Sequence, residues 1–148
     1  MIKTLLYPEL VHFLPSLIIG LFLFCRYQNW LLIPACLLTG FFIDIDHLFD
    51  FWFHYDFGQS LLKMFQSDYF MSSQKVYILF HGWELLFALW WVGGFLNRRL
   101  KLQGFQWALC LPYFGHLLID QFSGYTLNPL AYFLFYRFLN GFSLGSYH

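Results

Sequence analysis

The chain has 148 residues, of which 59% are hydrophobic, 25% aromatic and only 11% charged, and its formal net charge is zero. So high a hydrophobic share excludes an ordinary soluble domain, in which about 25% of the residues are charged. The chain has no basic tail and no block of like charges, so it lacks the excess of positive charge that is typical of nucleic-acid-binding proteins. We therefore expect a single all-α domain over residues 1–148 that is integral to a lipid bilayer.

Five apolar segments predict a multi-pass membrane bundle of about five helices. They cover roughly 12–25, 30–54, 76–96, 105–122 and 128–142. Several are shorter than the about 20 residues that span a bilayer unaided, so we expect polar residues to continue each helix beyond its apolar part. Between the second and third segments, residues 55–75 alternate in polarity, which predicts a short interfacial helix.

The basic residues predict the orientation of this bundle. Five spans put Arg26, the loop 98–101 and Arg137 on the same side. The positive-inside rule places that side in the cytoplasm, as in a multi-pass protein of the cell (inner) membrane. Arg137 is interpreted as a side chain that snorkels to the interface, with phosphate binding as the alternative.

Histidines interrupt four of the segments, and in three of these a carboxylate lies close to the histidine. Ionisable residues inside transmembrane segments are costly and mark functional sites. Counted from the cytoplasmic turns, the groups lie 12 to 14 residues away, which is roughly 18–21 Å along a helix. We therefore expect them to meet at one depth, towards the extracytoplasmic face. The candidate metal ligands are His12, Asp44, Asp46, His47, His81, Glu84, His116 and Asp120.

The spacing and chemistry of these residues favour a metal centre with more than one ion. Spacings of i,i+3 or i,i+4 put the members of a pair on one helix face, as in Asp44 with His47, His81 with Glu84, and His116 with Asp120. Imidazole and carboxylate without thiolate suit zinc, manganese or iron. Eight ligands exceed the needs of one tetrahedral zinc ion, so two or three ions are expected. Asp46 or Glu84, if not a ligand, is the candidate catalytic base. The alternative interpretation is structural, with each pair forming an intramembrane hydrogen bond.

The order of the motifs resembles a family of membrane-bound, metal-dependent hydrolases, also described as LexA-binding, inner-membrane-associated hydrolases. The resemblance rests on His12, Asp44-Ile45-Asp46-His47, His81 and Gly115-His116-Leu117-Leu118-Ile119-Asp120, followed by Gly124 and Pro129. The pattern is also distantly similar to the zinc-dependent phospholipase C superfamily, in which His-x-x-x-Asp and His-x-x-x-Glu pairs hold three zinc ions. His116 and Asp120 fit such a pair. These resemblances imply hydrolysis of a phosphoester in a lipid or lipid-linked substrate.

The third motif departs from the family pattern. Typical members carry His-Arg-Gly-x-Thr-His-Ser, whereas this chain has Val76 and Tyr77 where the first histidine and the arginine would stand. A ligand or phosphate-binding group of the family is then missing, and Glu84 is the candidate to replace it.

Two other functions compete with a hydrolase. A membrane di-iron oxidoreductase also places histidines and carboxylates on four helices, but its usual order is Glu-x-x-His, whereas His81 and Glu84 have the reverse order. A non-enzymatic membrane subunit could use the metal only to tie its helices together. Iron content, oxygen consumption and phosphoester hydrolysis separate the three.

Overall fold

The all-α prediction is confirmed for the residues described by the computed structural model, which are 2–55, 74–122 and 128–147. An isolated antiparallel bridge joins Lys75 to Ser143. The interfacial helix expected at 55–75 falls mainly on residues 56–73, which lie outside the described ranges. The described helices are α1 (Ile2–Tyr27), α2 (Leu32–Gly40), α3 (Asp46–Tyr55), α4 (Leu85–Arg99), α5 (Phe105–Phe122) and α6 (Leu134–Leu139), with 3₁₀ turns at Phe42–Ile45 and Leu144–Tyr147.

The first helix is longer than its apolar segment. It begins at Ile2, ten residues before His12, so His12 lies near its middle. The helix continues through Pro15, although a proline removes one backbone hydrogen bond and crowds the carbonyl four residues before it. The Ser16 hydroxyl also donates to the carbonyl of His12 at 2.7 Å. The apolar stretch Leu10–Tyr27 is long enough to cross a membrane.

The second apolar segment is not one helix. The chain bends by 52° between α2 and the helical stretch Phe42–Tyr55. The bend follows Gly40, where an added Cβ would overlap the side chains of Ser16 and Pro112. The backbone there is therefore pressed between α1 and α5. If the bent pair counts as one span, the described helices include two candidate membrane spans.

The remaining apolar segments are only partly helical. Residues 76–84 form turns and irregular backbone before α4, and 128–133 precede the six-residue α6. The prediction of continuous helices over 76–96 and 128–142 is therefore wrong. Polar backbone groups that a helix would have satisfied internally must find other partners in these stretches.

The helices pack around two apolar clusters. α1 and α2 pack on each other and on α5, and α4 covers another side of α5. The turn after α1 meets the turn before α5, since the Tyr27 ring abuts Gly104, whose φ of 92° favours glycine. One cluster lies at this end: Leu23, Leu32, Ala35, Cys36, Phe105, Ala108 and Leu109. The other surrounds the segment before α4: Ile43, Val76, Ile78, Tyr113, Leu117, Ala131 and Tyr132.

Candidate metal centre

Two buried histidines face each other at the centre of the site. The Nε2 atoms of His81 and His116 lie 3.1 Å apart. The opposite nitrogen of each ring is held in place, because His81 Nδ1 lies 3.1 Å from Asp46 Oδ2 and His116 Nδ1 lies 3.0 Å from the carbonyl of Gly40. Such partners orient a metal-binding imidazole and fix which nitrogen faces the ion. Both Nε2 atoms are thus directed into the same space.

Two carboxylates complete a compact set of ligand atoms. Asp44 Oδ1 lies 3.0 Å from His81 Nε2 and 3.4 Å from His116 Nε2. Asp120 Oδ2 lies 3.6 Å and 3.2 Å from the same two nitrogens. A tetrahedral zinc ion with bonds of about 2.0–2.1 Å has ligand atoms about 3.3 Å apart. The separations around the two histidines therefore match those of a coordination tetrahedron.

Two further histidines flank this set. His12 Nε2 lies 3.3 Å from Asp120 Oδ1, and its ring stacks on His116 with centroids 4.0 Å apart. His47 Nε2 lies 3.7 Å from Asp44 Oδ1. The ligand atoms form two groups, and within each group all lie within 4.8 Å of one another. We call them the buried group (His12, His116, Asp120) and the open group (Asp44, His47, His81).

The two groups differ in their exposure. All three side chains of the buried group are enclosed, whereas Asp44 and His47 in the open group expose 24% and 26% of their side chains. These buried and half-buried residues could hold a metal ion, or one ion in each group. Among the described residues, the open group is therefore the more accessible of the two from outside.

Two carboxylates of α3 position the segment that carries His81. Asp46 Oδ2 accepts the backbone N–H of Phe80 at 2.6 Å as well as contacting His81. One turn later, Asp50 Oδ1 accepts the N–H of Tyr77 at 3.2 Å. Asp46 therefore lies behind His81, as the partner of a ligand.

Arg137 holds the same segment from the other side. It is fully buried and donates to the carbonyls of Ile78 at 2.6 Å and His81 at 2.7 Å. The expectation that Arg137 snorkels to the interface on the side of Arg26 is therefore wrong, because its guanidinium lies beside His81, at the level of the metal centre. Tyr113 adds a further contact, because its hydroxyl lies within hydrogen-bond distance of the carbonyl of Phe80 and accepts the N–H of Gly82. These side chains replace the backbone partners that the non-helical segment lacks.

Glu84 lies apart from both groups. Its two carboxylate oxygens accept the N–H groups of Leu134 at 2.9 Å and Phe135 at 3.0 Å, where α6 begins. Burial opposes ionisation of this carboxyl, but the two backbone donors lower the pKa of Glu84. Its carboxylate anchors α6 instead of facing the histidines. The i,i+3 spacing from His81 predicted a shared helix face, and the missing helix removes that relationship.

Six of the eight sequence-predicted ligands are therefore brought together. The structure places Asp46 in contact with a ligand, and Glu84 elsewhere. Sequence reasoning missed the roles of Arg137 and Tyr113. A cation within an apolar segment was a signal for Arg137, but one tyrosine among ten offered no signal for Tyr113. The contact between the Gly40 carbonyl and His116 offered no signal either, because every residue has a backbone carbonyl.

No family model, curated protein or solved structure matches this chain. The resemblance to membrane-bound hydrolases therefore stays a prediction from the motifs.

Proposed function

We propose that the chain is a multi-pass membrane hydrolase that cleaves a phosphoester of a lipid or lipid-linked substrate at the extracytoplasmic face. The observation that carries this proposal is the convergence of six histidine and aspartate side chains, with one group partly exposed. Structural metal sites are closed, whereas catalytic sites keep an open position for water or substrate. The open group is partly exposed, as expected of a catalytic metal site.

Six of the side chains would hold the ions, and Asp46 orients one of these ligands. His12, His116 and Asp120 would hold one ion, and Asp44, His47 and His81 would hold another. Divalent ions there, zinc first and manganese or iron as alternatives, would make water more acidic and neutralise charge on a phosphoester. Asp46 keeps the His81 ring in the orientation that directs Nε2 to the ion. Its place behind His81 favours a positioning role over direct contact with water.

Exposed apolar side chains support a membrane setting. Only 22% of the apolar stretch of α1 is buried. Large apolar side chains are also exposed on the other long helices, including Phe53 at 65%, Phe87 at 80%, Trp91 at 68% and Phe122 at 81%. A surface of this kind is unfavourable in water and favourable against lipid tails. A substrate with acyl chains would reach the site from the same surroundings.

Metal analysis of the detergent-purified chain tests the proposal. We expect bound zinc, manganese or iron, and hydrolysis of a lipid phosphoester that a chelator abolishes and added metal restores. The double variant His116→Ala, Asp120→Ala should lose both metal and activity. His54→Ala is the matched control, because His54 is exposed on α3 and belongs to neither group.

Three outcomes would contradict the proposal. Unchanged metal content in the double variant would show that these residues hold no ion. Iron accompanied by oxygen consumption would favour the oxidoreductase. Stoichiometric metal in a folded protein that hydrolyses no lipid phosphoester would favour a structural subunit.

A further inference from the structure

We propose that an open pocket between α4 and α5, beside Arg98, binds the phosphate of an anionic phospholipid headgroup. The pocket has a volume of about 280 Å³ and is lined by Trp90, Trp91, Gly94, Asn97, Arg98 and Gln106. It is separate from the metal centre, because Gln106 precedes His116 by ten residues of α5, which is about 15 Å along a helix. The inference shares the membrane setting with the proposed function but does not depend on hydrolysis.

Two glycines of α4 shape the pocket. At Gly93 the helices press together, since an added Cβ would lie 2.5 Å from the Cα of Gln106. At Gly94 an added Cβ would lie 2.9 Å from Gln106 Nε2 and 3.7 Å from Arg98 Nη2. The missing side chain of Gly94 therefore leaves space between two polar side chains.

The polar side chains around this space are held in place and keep N–H groups to spare. Arg98 Nε donates to the carbonyl of Gly94 at 3.2 Å, and Gln106 Nε2 donates to the carbonyl of Trp90 at 3.2 Å. Asn97 Nδ2 lies 3.4 Å from Gln106 Oε1. A guanidinium has five N–H groups and an amide two, so each side chain can donate again. The planar fork of arginine matches two oxygens of a phosphate.

The charge at this end of the helices favours an anion. Arg99 and Lys101 follow Arg98 directly in the chain, and no acidic residue occurs between positions 85 and 119. Arg26 lies at the same end, where α1 meets the turn before α5, and positions 10 to 43 also contain no acidic residue. No carboxylate of these helices balances the positive charge.

The apolar surroundings favour a lipid as the source of the phosphate. Trp90 and Trp91 are 45% and 68% exposed, and the exposed Phe87 lies one turn further along α4 towards the metal centre. Tryptophan is enriched at the headgroup level of membranes, and basic pockets between membrane helices bind anionic headgroups. The pocket is small enough to hold only a headgroup, so the acyl chains would lie against these apolar side chains. A soluble anion would leave them uncovered.

Native mass spectrometry of the detergent-purified full chain tests this site with equal amounts of two lipids. Dimyristoyl phosphatidylglycerol is anionic, whereas dimyristoyl phosphatidylcholine carries the same phosphate next to a quaternary ammonium. We expect the complex with one bound lipid to favour phosphatidylglycerol about fivefold, the factor that one basic side chain contributes near a membrane surface. Arg98→Gln should bring the ratio close to unity. Arg99→Gln is the matched control and should preserve it, because Arg99 is exposed and does not line the pocket.

Further variants separate the pocket from other sources of the same preference. Gly94→Ala keeps every charge but narrows the pocket, so it should also lower the ratio. The double variant His116→Ala, Asp120→Ala should retain the preference, and its loss there would assign the lipid to the metal centre.

Three other outcomes would overturn the proposal. Equal retention of the two lipids by the wild-type chain would show that the pocket does not select an anion. Equal losses in Arg98→Gln and Arg99→Gln would show a diffuse attraction to the basic end of the helices. Displacement of phosphatidylglycerol by an equal concentration of inorganic phosphate would assign the pocket to a soluble anion.

Discussion

Arg137 is the residue whose loss we expect to damage the site most without removing a ligand. Arg137→Met would leave the carbonyls of Ile78 and His81 buried without their guanidinium donor. We expect the free energy of unfolding to fall by about 2–4 kcal/mol, measured by denaturant or thermal unfolding in detergent. Metal affinity should fall about 10–100-fold, because His81 loses its support.

Arg99→Met is the matched control for this prediction. Arg99 is exposed at the end of α4, so the same substitution there should leave stability and metal affinity near the wild-type values. Wild-type stability in Arg137→Met would show that the buried hydrogen bonds do not hold the His81 segment.

The pKa of His81 predicts how stability and metal affinity depend on pH. Burial opposes its protonation, but hydrogen bonds with Asp44 and Asp46 raise its pKa above the ordinary value of 6.5. In the metal-free protein this bound proton stabilises the fold below the unfolded pKa, and the contribution is lost as pH rises through the folded pKa. An ion must displace that proton, so metal affinity should rise with pH.

Proton release during metal binding checks this prediction. Calorimetric titrations in buffers of different ionisation enthalpy should show release of protons near neutral pH. A binding enthalpy that is the same in every buffer would contradict it.

At the scale of single residues, the sequence predicted the ligands better than their supports. Histidines and carboxylates are conspicuous in apolar segments because each has a high desolvation cost. Six predicted ligands do converge. Glu84 was grouped with His81 only on the assumption of a helix, and its carboxylate instead binds the backbone of Leu134 and Phe135. Contacts through backbone groups, such as the Gly40 carbonyl on His116, carry no residue signature.

Among the elements, the crossing of α1, α2 and α5 at Gly40 gives a sharp test. Gly40→Ala would drive a methyl group into Ser16 and Pro112 and displace the carbonyl that orients His116. We expect a loss of about 1–3 kcal/mol in unfolding free energy, as for overpacked cores, together with weaker metal binding.

Gly115→Ala is the control within the same structure. An added Cβ at Gly115 meets nothing within 4 Å, and the residue lies inside α5. Alanine should therefore be neutral or stabilise the helix by up to about 1 kcal/mol. Equal effects of the two substitutions on stability would contradict the close packing of Gly40 against Ser16 and Pro112.

The sequence also predicted the class of the elements better than their continuity. Hydrophobicity alone cannot distinguish a straight helix over 30–54 from two helices joined by a 3₁₀ turn. The bend depends on tertiary packing at Gly40, against α1 and α5. The stretch 76–84 is apolar enough for a helix, but side chains from α3, α5 and α6 satisfy its backbone in a non-helical form.

For the whole molecule, the proposed topology can be tested by cysteine labelling. In a background without Cys25, Cys36 and Cys110, single cysteines at Arg26 and Arg99 should react from the same side of the membrane. A cysteine at Ser143, near the His81 segment, should react from the opposite side. Labelling of Arg26 and Arg99 positions from different sides would contradict the multi-pass arrangement.

One oxygen of Asp46 serves two partners, since its Oδ2 contacts Nδ1 of His81 and accepts the backbone N–H of Phe80. A ligand of the metal centre and the backbone of the segment that carries it are therefore held at one point. An ion that binds only the folded chain would stabilise this segment by mass action. The supply of metal would then set how much of the chain escapes unfolding and proteolysis, and not only the rate of a reaction.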